Sequence, residues 1–342
     1  MNKPYIYDLS PTELSAWLEE QQEAPYRLRQ IRQWLWRGCN SADDMTDLPK
    51  GIREKMTESF RFDAMRLKER LQSQEDDTTK YIWQLADGNV IESVFMRYRS
   101  GTSVCVSSQA GCKMGCAFCA SSMCGFGRNL SSGELIAQVA LIAKDQGSRV
   151  DHVVVMGIGE PFENYDNLLT FLRSCNDPAG FNISMRRMTV STCGLIPQML
   201  RFAEEGLPIT LAVSLHAAND RLRSQLMPIN HAYPLADLMK ACRQYEKTSG
   251  RRITFEYALF KGLNDRTEDA EQLAAMLRGS LCHVNLIPAN EVPGSDLHRS
   301  EPGAVENFAR ILQSRKIPVT VRRELGTDIM AACGQLRRMS TP

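Results

Sequence analysis

From Ser103 onward the chain repeats one pattern: a short apolar, β-branched run, then a segment of helix length. The runs are SVCVS, HVVVMG, MTVST, ITLAVSL, ITFEYAL, HVNLIP and IPVTVRR. Between them lie helix-length segments at roughly 132–146, 167–174, 196–205, 235–248, 267–277 and 301–314. Strands apolar on both faces and separated by helices belong to parallel βα units. About six such units predict an α/β fold, a partial (βα)6 TIM-like barrel. In barrels, chemistry gathers where strands end and loops begin.

The first hundred residues follow other periods. Ser10-Pro11-Thr12-Glu13 reads as a capping box opening a helix, 26–37 as a second helix closed by Gly38, and 49–59 as a third. Residues 65–72, 79–84 and 89–97 read as strands, the last two joined by the turn Ala86-Asp87-Gly88. The expected organisation is therefore a helical domain over 1–62, a short antiparallel β extension over 63–100 and the barrel over 101–338. A chain of 342 residues suits one barrel with a small appendage.

Charge and composition exclude some functions. The formal net charge is +1, so any surface for nucleic acid must be local. No run of 18 apolar residues exists and the N-terminus lacks an apolar signal core, so no membrane is expected and the cell interior is the expected compartment. There structural disulfides are rare, and eleven cysteines indicate metal or thiol chemistry.

Three of those cysteines, Cys112, Cys116 and Cys119, lie in QAGCKMGCAFCA, just past the first barrel strand. Three thiolates can hold three irons of a cubane cluster and leave the fourth open to a ligand. A structural zinc site takes four protein ligands, and Cys105 or Cys124 could supply a fourth thiolate. The sequence alone leaves both open.

The Cys-x-x-x-Cys-x-x-Cys spacing resembles that of radical S-adenosylmethionine (SAM) enzymes. The stretches CVSSQAGCKMGCAFCA, GIGEPFENYDN, VSTCGLIP, LAVSLHAANDRLRSQLMPIN, GRRITFEYALFKGLND, HVNLIPAN and DIMAACGQLR resemble, in order, the dual-specificity adenine carbon-2 methyltransferase family, which modifies ribosomal and transfer RNA. The resemblance implies a barrel of the radical SAM type and a 4Fe–4S cluster on Cys112, Cys116 and Cys119. It also implies SAM, two molecules per turnover, on Gly159, Glu160, Ser191, Ser214, Leu215, His216 and Asn290. Cleavage by the cluster would give a 5′-deoxyadenosyl radical. Cys333 would carry a methyl group and hold the adenine covalently. Glu92 would remove the proton from carbon 2. Cys105 would release the product and form a transient disulfide with Cys333. The implied partners are 23S rRNA, tRNA and an external electron donor, with the protein acting as a monomer.

Some of these residues carry a physical expectation of their own. Gly157 and Gly159 let backbone approach a ligand, and Glu160 can accept from an ammonium. Small residues flank Cys333, giving the thiol access. Alternation places Glu92 beside Val90, Val94 and Met96, on a face that is either solvated or desolvated. Desolvation would raise its pKa toward that of a useful proton acceptor. Arg27, Arg29, Arg32 and Arg37, interleaved with Trp34 and Trp36, suit phosphates and bases; Arg186-Arg187, Arg322-Arg323 and Arg337-Arg338 are further basic pairs. Two other readings stand at this point: a sibling enzyme that methylates carbon 8 of a ribosomal adenine, and a zinc-stabilised RNA-binding module without catalysis.

Overall fold

Local signals start and stop the elements. In α1 (Pro11–Glu20) the Ser10 hydroxyl accepts from Glu13 N at 3.2 Å, and the Glu13 carboxylate accepts from Ser10 N at 2.7 Å. It is followed by α2 (Arg27–Trp36) and α3 (Lys50–Ser59), which bury Ile31, Leu35, Ile52 and Met56. These elements belong to the computed structural model of the chain, which describes residues 3–290, 292 and 295–336. Among them no helix is long and apolar enough to cross a membrane.

Three strands come next: β1 (Met65–Gln72), β2 (Thr78–Leu85) and β3 (Val90–Tyr98). Then β4 (Gly101–Cys105) pairs antiparallel with β3, and a small separate hairpin forms from β5 (Gln109–Gly111) and β6 (Phe126–Asn129). Helix α4 (Ala120–Met123) lies inside that hairpin's loop. The alternating region supplies α5 (Ser132–Gln146), β7 (His152–Val155), α6 (Tyr165–Asn176), β8 (Met188–Thr192), α7 (Ile196–Glu204), β9 (Thr210–Ser214) and α8 (Asp220–Leu226). It continues with α9 (Leu235–Ser249), β10 (Ile253–Leu259), α10 (Thr267–Met276), β11 (Cys282–Pro288), α11 (Pro302–Ser314) and β12 (Val319–Val321).

One sheet of ten strands holds all of these but the hairpin, in the order β1-β2-β3-β4-β7-β8-β9-β10-β11-β12. It is antiparallel from β1 to β4 and parallel from β4 to β12. The parallel part is the expected barrel wall, covered by helices, and β1–β3 extend it on one edge. A continuous apolar core runs from Tyr5 and Ile6 through the helices into the barrel.

A second, smaller apolar cluster joins Val94, Met96 and Cys105 to Ile158, Ala331 and Leu336. It exists because the chain after β12 turns back and lies over β2 and β3 as a strap. Asp328 accepts from Ser73 Oγ and Gln74 N, each at 2.8 Å. Gly326 N donates to Asp76 Oδ2 at 2.9 Å, and Ser121 Oγ donates to Leu336 O at 2.6 Å. The β extension is thus the dock for the segment that carries Cys333.

Candidate active site

The cysteine loop hangs between the β5–β6 hairpin and α8. Cys112 N donates to Gly125 O at 3.2 Å, and Ala117 N donates to Leu226 O at 3.0 Å. Ala120 N donates to Gly334 O at 2.8 Å, which ties the loop to the strap. All three thiols are partly buried, and burial first of all pushes them up, Cys112 to about 12. For Cys116 the neighbouring Cys119 and Cys112 come next. Such thiols stay protonated until a metal displaces the protons. Among the described residues no three His, Cys, Asp or Glu side chains converge on a single ion. Cys105, a possible fourth zinc ligand, lies elsewhere: Cys333 and Arg322 are the charged groups that act on it. Three thiols in one loop fit a cubane cluster with one open iron.

Beside the loop opens a cavity of about 140 Å³, lined by Cys119, Ser191, Ser214, His216, Asn290 and Cys333. His216 sits in a left-handed backbone conformation, φ 55°, with its carbonyl held by Asn264 Nδ2 at 2.8 Å. Its Nδ1 accepts from Ala258 N at 2.9 Å, so Nε2 carries the proton and is free to donate to a ligand. Burial, then the charge of Arg223, lowers its pKa to about 3 and keeps the ring neutral. Phe118 of the cysteine loop packs edge-on against it, ring centroids 4.6 Å apart.

Other expected cofactor residues stand behind this wall. Leu215 is buried, its N–H donating to Glu256 O at 3.0 Å. Glu160 is buried with both oxygens engaged, Oε1 by Phe162 N at 3.0 Å and Oε2 by Cys193 N at 2.7 Å. Burial raises its pKa and these N–H groups oppose the rise. Its carboxylate therefore braces the loop, with only second lone pairs left for an ammonium. The two glycines also differ from expectation. A Cβ on Gly157 would meet Ser107 at 2.8 Å, and one on Gly159, φ +107°, would meet Gln109 at 2.6 Å. Their freedom lets two loops of the protein approach each other. Asn290 lines the cavity but donates through Nδ2 to Cys333 O at 3.1 Å.

Cys333 also faces a second, smaller cavity of about 40 Å³, shared with Cys105, Val94, Met96, Asn290 and Arg322. Burial, then Cys333, pushes the Cys105 thiol up to about 12. The expected disulfide between these two is absent, since all eleven cysteines are free. Glu92 lies on the same face of β3 as Val94 and Met96, 1% exposed. Its carboxylate is 3.5 Å from the ammonium of Lys80, itself 6% exposed.

Sequence reading missed four side chains here. Lys80 faces Glu92 only through the β2–β3 register, which pairs it with Val94. Arg322 belongs to a basic pair read as surface, yet it lines both cavities and is held firmly protonated, first by Cys333. Glu256 lines the larger cavity and accepts from Asn285 Nδ2 at 3.3 Å. Arg223, fully buried in α8, donates to Cys193 O at 2.8 Å and Ser214 O at 3.3 Å. Of the basic helix, Arg29 and Arg37 are exposed, while Arg32 pairs with Asp177 and Arg27 lies 3.8 Å from Glu23. Arg337 and Arg338 lie outside the described residues.

Comparison with known proteins places this geometry. Residues 106–274 match the Radical SAM superfamily, and residues 5–61 match the ribosomal RNA large subunit methyltransferase N-terminal domain. The chain is 50% identical over 339 residues to the probable dual-specificity RNA methyltransferase RlmN of Bacillus cytotoxicus, covering 98% of this chain and 93% of that one. A protein of the same description from Bacillus cereus is 50% identical over 341 residues, covering 98% and 94%. The crystal structure of a radical SAM methyltransferase from Sphaerobacter thermophilus superposes with a TM-score of 0.94 at 44% identity, covering 97% of this chain and 99% of that one. The chain belongs to the RlmN-type radical SAM RNA methyltransferases.

Proposed function

We propose that this RNA methyltransferase places a methyl group on carbon 2 of an adenine in 23S rRNA and in tRNA, and that Cys333 carries the methyl group and then the base. The observation that carries the reading is the position of Cys333 between two cavities. One holds Cys119, Ser191, Ser214 and His216, and the other holds Cys105. A cluster on Cys112, Cys116 and Cys119, with SAM beside it and an outside electron donor, supplies the methyl group and a hydrogen-abstracting radical, two SAM molecules being used per turnover. The rest is done by the chain's own groups. Ser191, Ser214 and the Nε2–H of His216 hold the ligand in the larger cavity. Gly159, Glu160 and Leu215 shape the loops behind it, and Asn290 fixes the Cys333 backbone. Cys333, joined to carbon 2 through the methylene, keeps the base in place. The surplus electron of the radical adduct would return to the cluster. Glu92 takes the proton from carbon 2. Cys105 then attacks the Cys333 sulfur, an S–S bond forming as the sulfur–methylene bond breaks, and the freed methylene takes up a proton to become the methyl group. The disulfide is reduced by cellular thiols. Carbon 2 lies in an electron-poor ring, where transfer of a methyl cation to a nucleophile is not available.

The same reading divides the work along the chain: residues 1–62 bind RNA, 63–100 supply the base and the dock, and 101–338 hold the cofactors and thiols. The relatives described as dual-specificity RNA methyltransferases support two RNA substrates. The test is mass spectrometry of adenines from 23S rRNA and tRNA of cells lacking this chain, before and after its return. Restored 2-methyladenine in both RNAs is expected. Restored 8-methyladenine would overturn the regiochemistry, and no change in tRNA would overturn the dual substrate.

A further inference from the structure

A lysine buried to 6% exposure needs a reason, because an ammonium in the interior is strongly disfavoured unless it is paired. Lys80 has two partners. Its Nζ lies 3.5 Å from Glu92 Oε1 and donates to Met330 O at 3.2 Å. The first partner is the proposed base. The second lies three residues before Cys333, in the strap. Met330 is one of the few residues other than glycine with a left-handed backbone, φ 52°, so its carbonyl points where an unrestrained chain would seldom aim it. Strained backbone of this kind persists where surrounding contacts fix it. Gly326 O accepts from Ala331 N at 2.8 Å, and Lys80 fixes the carbonyl itself.

Resting on the assignment of Glu92 as base, we propose that Lys80 is a positioning residue that holds the Glu92 carboxylate ionised and, through the Met330 carbonyl, sets the strap so that the base and Cys333 share one register. Lys80 lines neither of the two cavities beside Cys333 and acts through Glu92 and the strap. Among the described residues, the other charged or titratable groups around the smaller cavity are Tyr98 and Cys105 on the sheet side and Arg322, Arg323, Glu324 and Cys333 on the strap side. Of these, Glu324 pairs with Arg299, and Arg322 interacts chiefly with Cys333 and Glu256.

The test follows decay of the enzyme–RNA crosslink on denaturing gels as a function of pH, in the holoenzyme and in Lys80→Met, Lys80→Arg, Glu92→Gln and the double variant Lys80→Met/Glu92→Gln. Lys80→Met should still load a methyl group on Cys333, and the acidic limb of its decay profile should move up by about one to three pH units, the usual effect of losing an opposite charge at this range. Lys80→Arg should bring the limb back toward wild type. The double variant, which removes both charges, should be slowed by less than the product of the two single effects, because residues acting as one unit are not additive. An unmoved limb in Lys80→Met, or a double variant slowed by the product of the two single effects, would overturn the proposal. Wild-type decay in Glu92→Gln would overturn the base assignment and the Lys80 role with it, whereas normal Glu92→Gln trapping with an unmoved Lys80→Met limb would overturn the Lys80 role alone.

Discussion

Cys105 and Cys333 share a cavity but have different surroundings, and the steps proposed for them draw on that difference. Cys105 is a strand residue fixed by the β3–β4 register opposite Val94, whereas Cys333 rides a strap of small residues and is open to two cavities. Cys333→Ala should form neither methylated enzyme nor crosslink. Cys105→Ala should methylate Cys333, capture RNA and stall, so a covalent complex should co-purify and be visible on a denaturing gel. A crosslink in Cys333→Ala, or none in Cys105→Ala, would contradict the roles. At this scale the sequence was legible where spacing is local. Three thiols in one loop need no fold to be noticed, whereas the period of two placed Glu92 beside Val94 and Met96 without deciding whether that face is buried, and its role came from the family resemblance. Lys80 and Glu256 were invisible, because their partners are set by pairing between strands and across a cavity. Glu160 carries more than the sequence suggested, since each carboxylate oxygen already accepts one backbone N–H.

Among the elements, the β5–β6 hairpin and α8 decide whether the cysteine loop keeps its shape. Gly111 has φ +86°, and a Cβ there would lie 1.9 Å from Gly125 O, across the hairpin. Gly111→Ala therefore meets a left-handed penalty of about 1–2 kcal/mol and a clash that only opening the hairpin relieves. The expected result is a folded barrel with little bound iron, read by absorbance of the reconstituted protein and by its melting curve. Full iron loading would show that the hairpin does not shape the loop. The parallel strands were readable from their β-branched runs, and the capping boxes at Ser10 and, in the structure, Ser131 mark helix starts. The hairpin strands, three and four residues long, are too short to show a period. Helix α8 lay inside LHAANDRLRSQLMPIN, where seven helical residues are too few for an amphipathic signal, although the Asn219 side chain caps it by accepting from Leu222 N at 3.0 Å.

For the molecule as a whole, the N-terminal helices share one apolar core with the barrel, and the ion pair between Arg32 and Asp177 adds a polar stitch between them. This separates two kinds of arginine that look alike in sequence. Arg29→Glu with Arg37→Glu should weaken RNA binding and lower the salt slope by about one unit for each phosphate the helix no longer neutralises. Arg32→Glu should instead lower the melting temperature and leave that slope unchanged. Equal slopes in both variants and the wild type would move the RNA footprint off this helix. The strap has a consequence of its own at this scale. Its bonds to the β extension join residues 250 to 255 positions apart, and they are side-chain bonds rather than a ladder. In a native-state ensemble, segments held this way open locally at a small fraction of the global unfolding free energy, while the parallel strands stay protected. Cys333, the proposed methyl carrier, thus rides a segment of this kind. Its residence in the cavity is a population, and an RNA base that presses against the strap, or fills the space beneath it, shifts that population by the difference in its affinity for the two states.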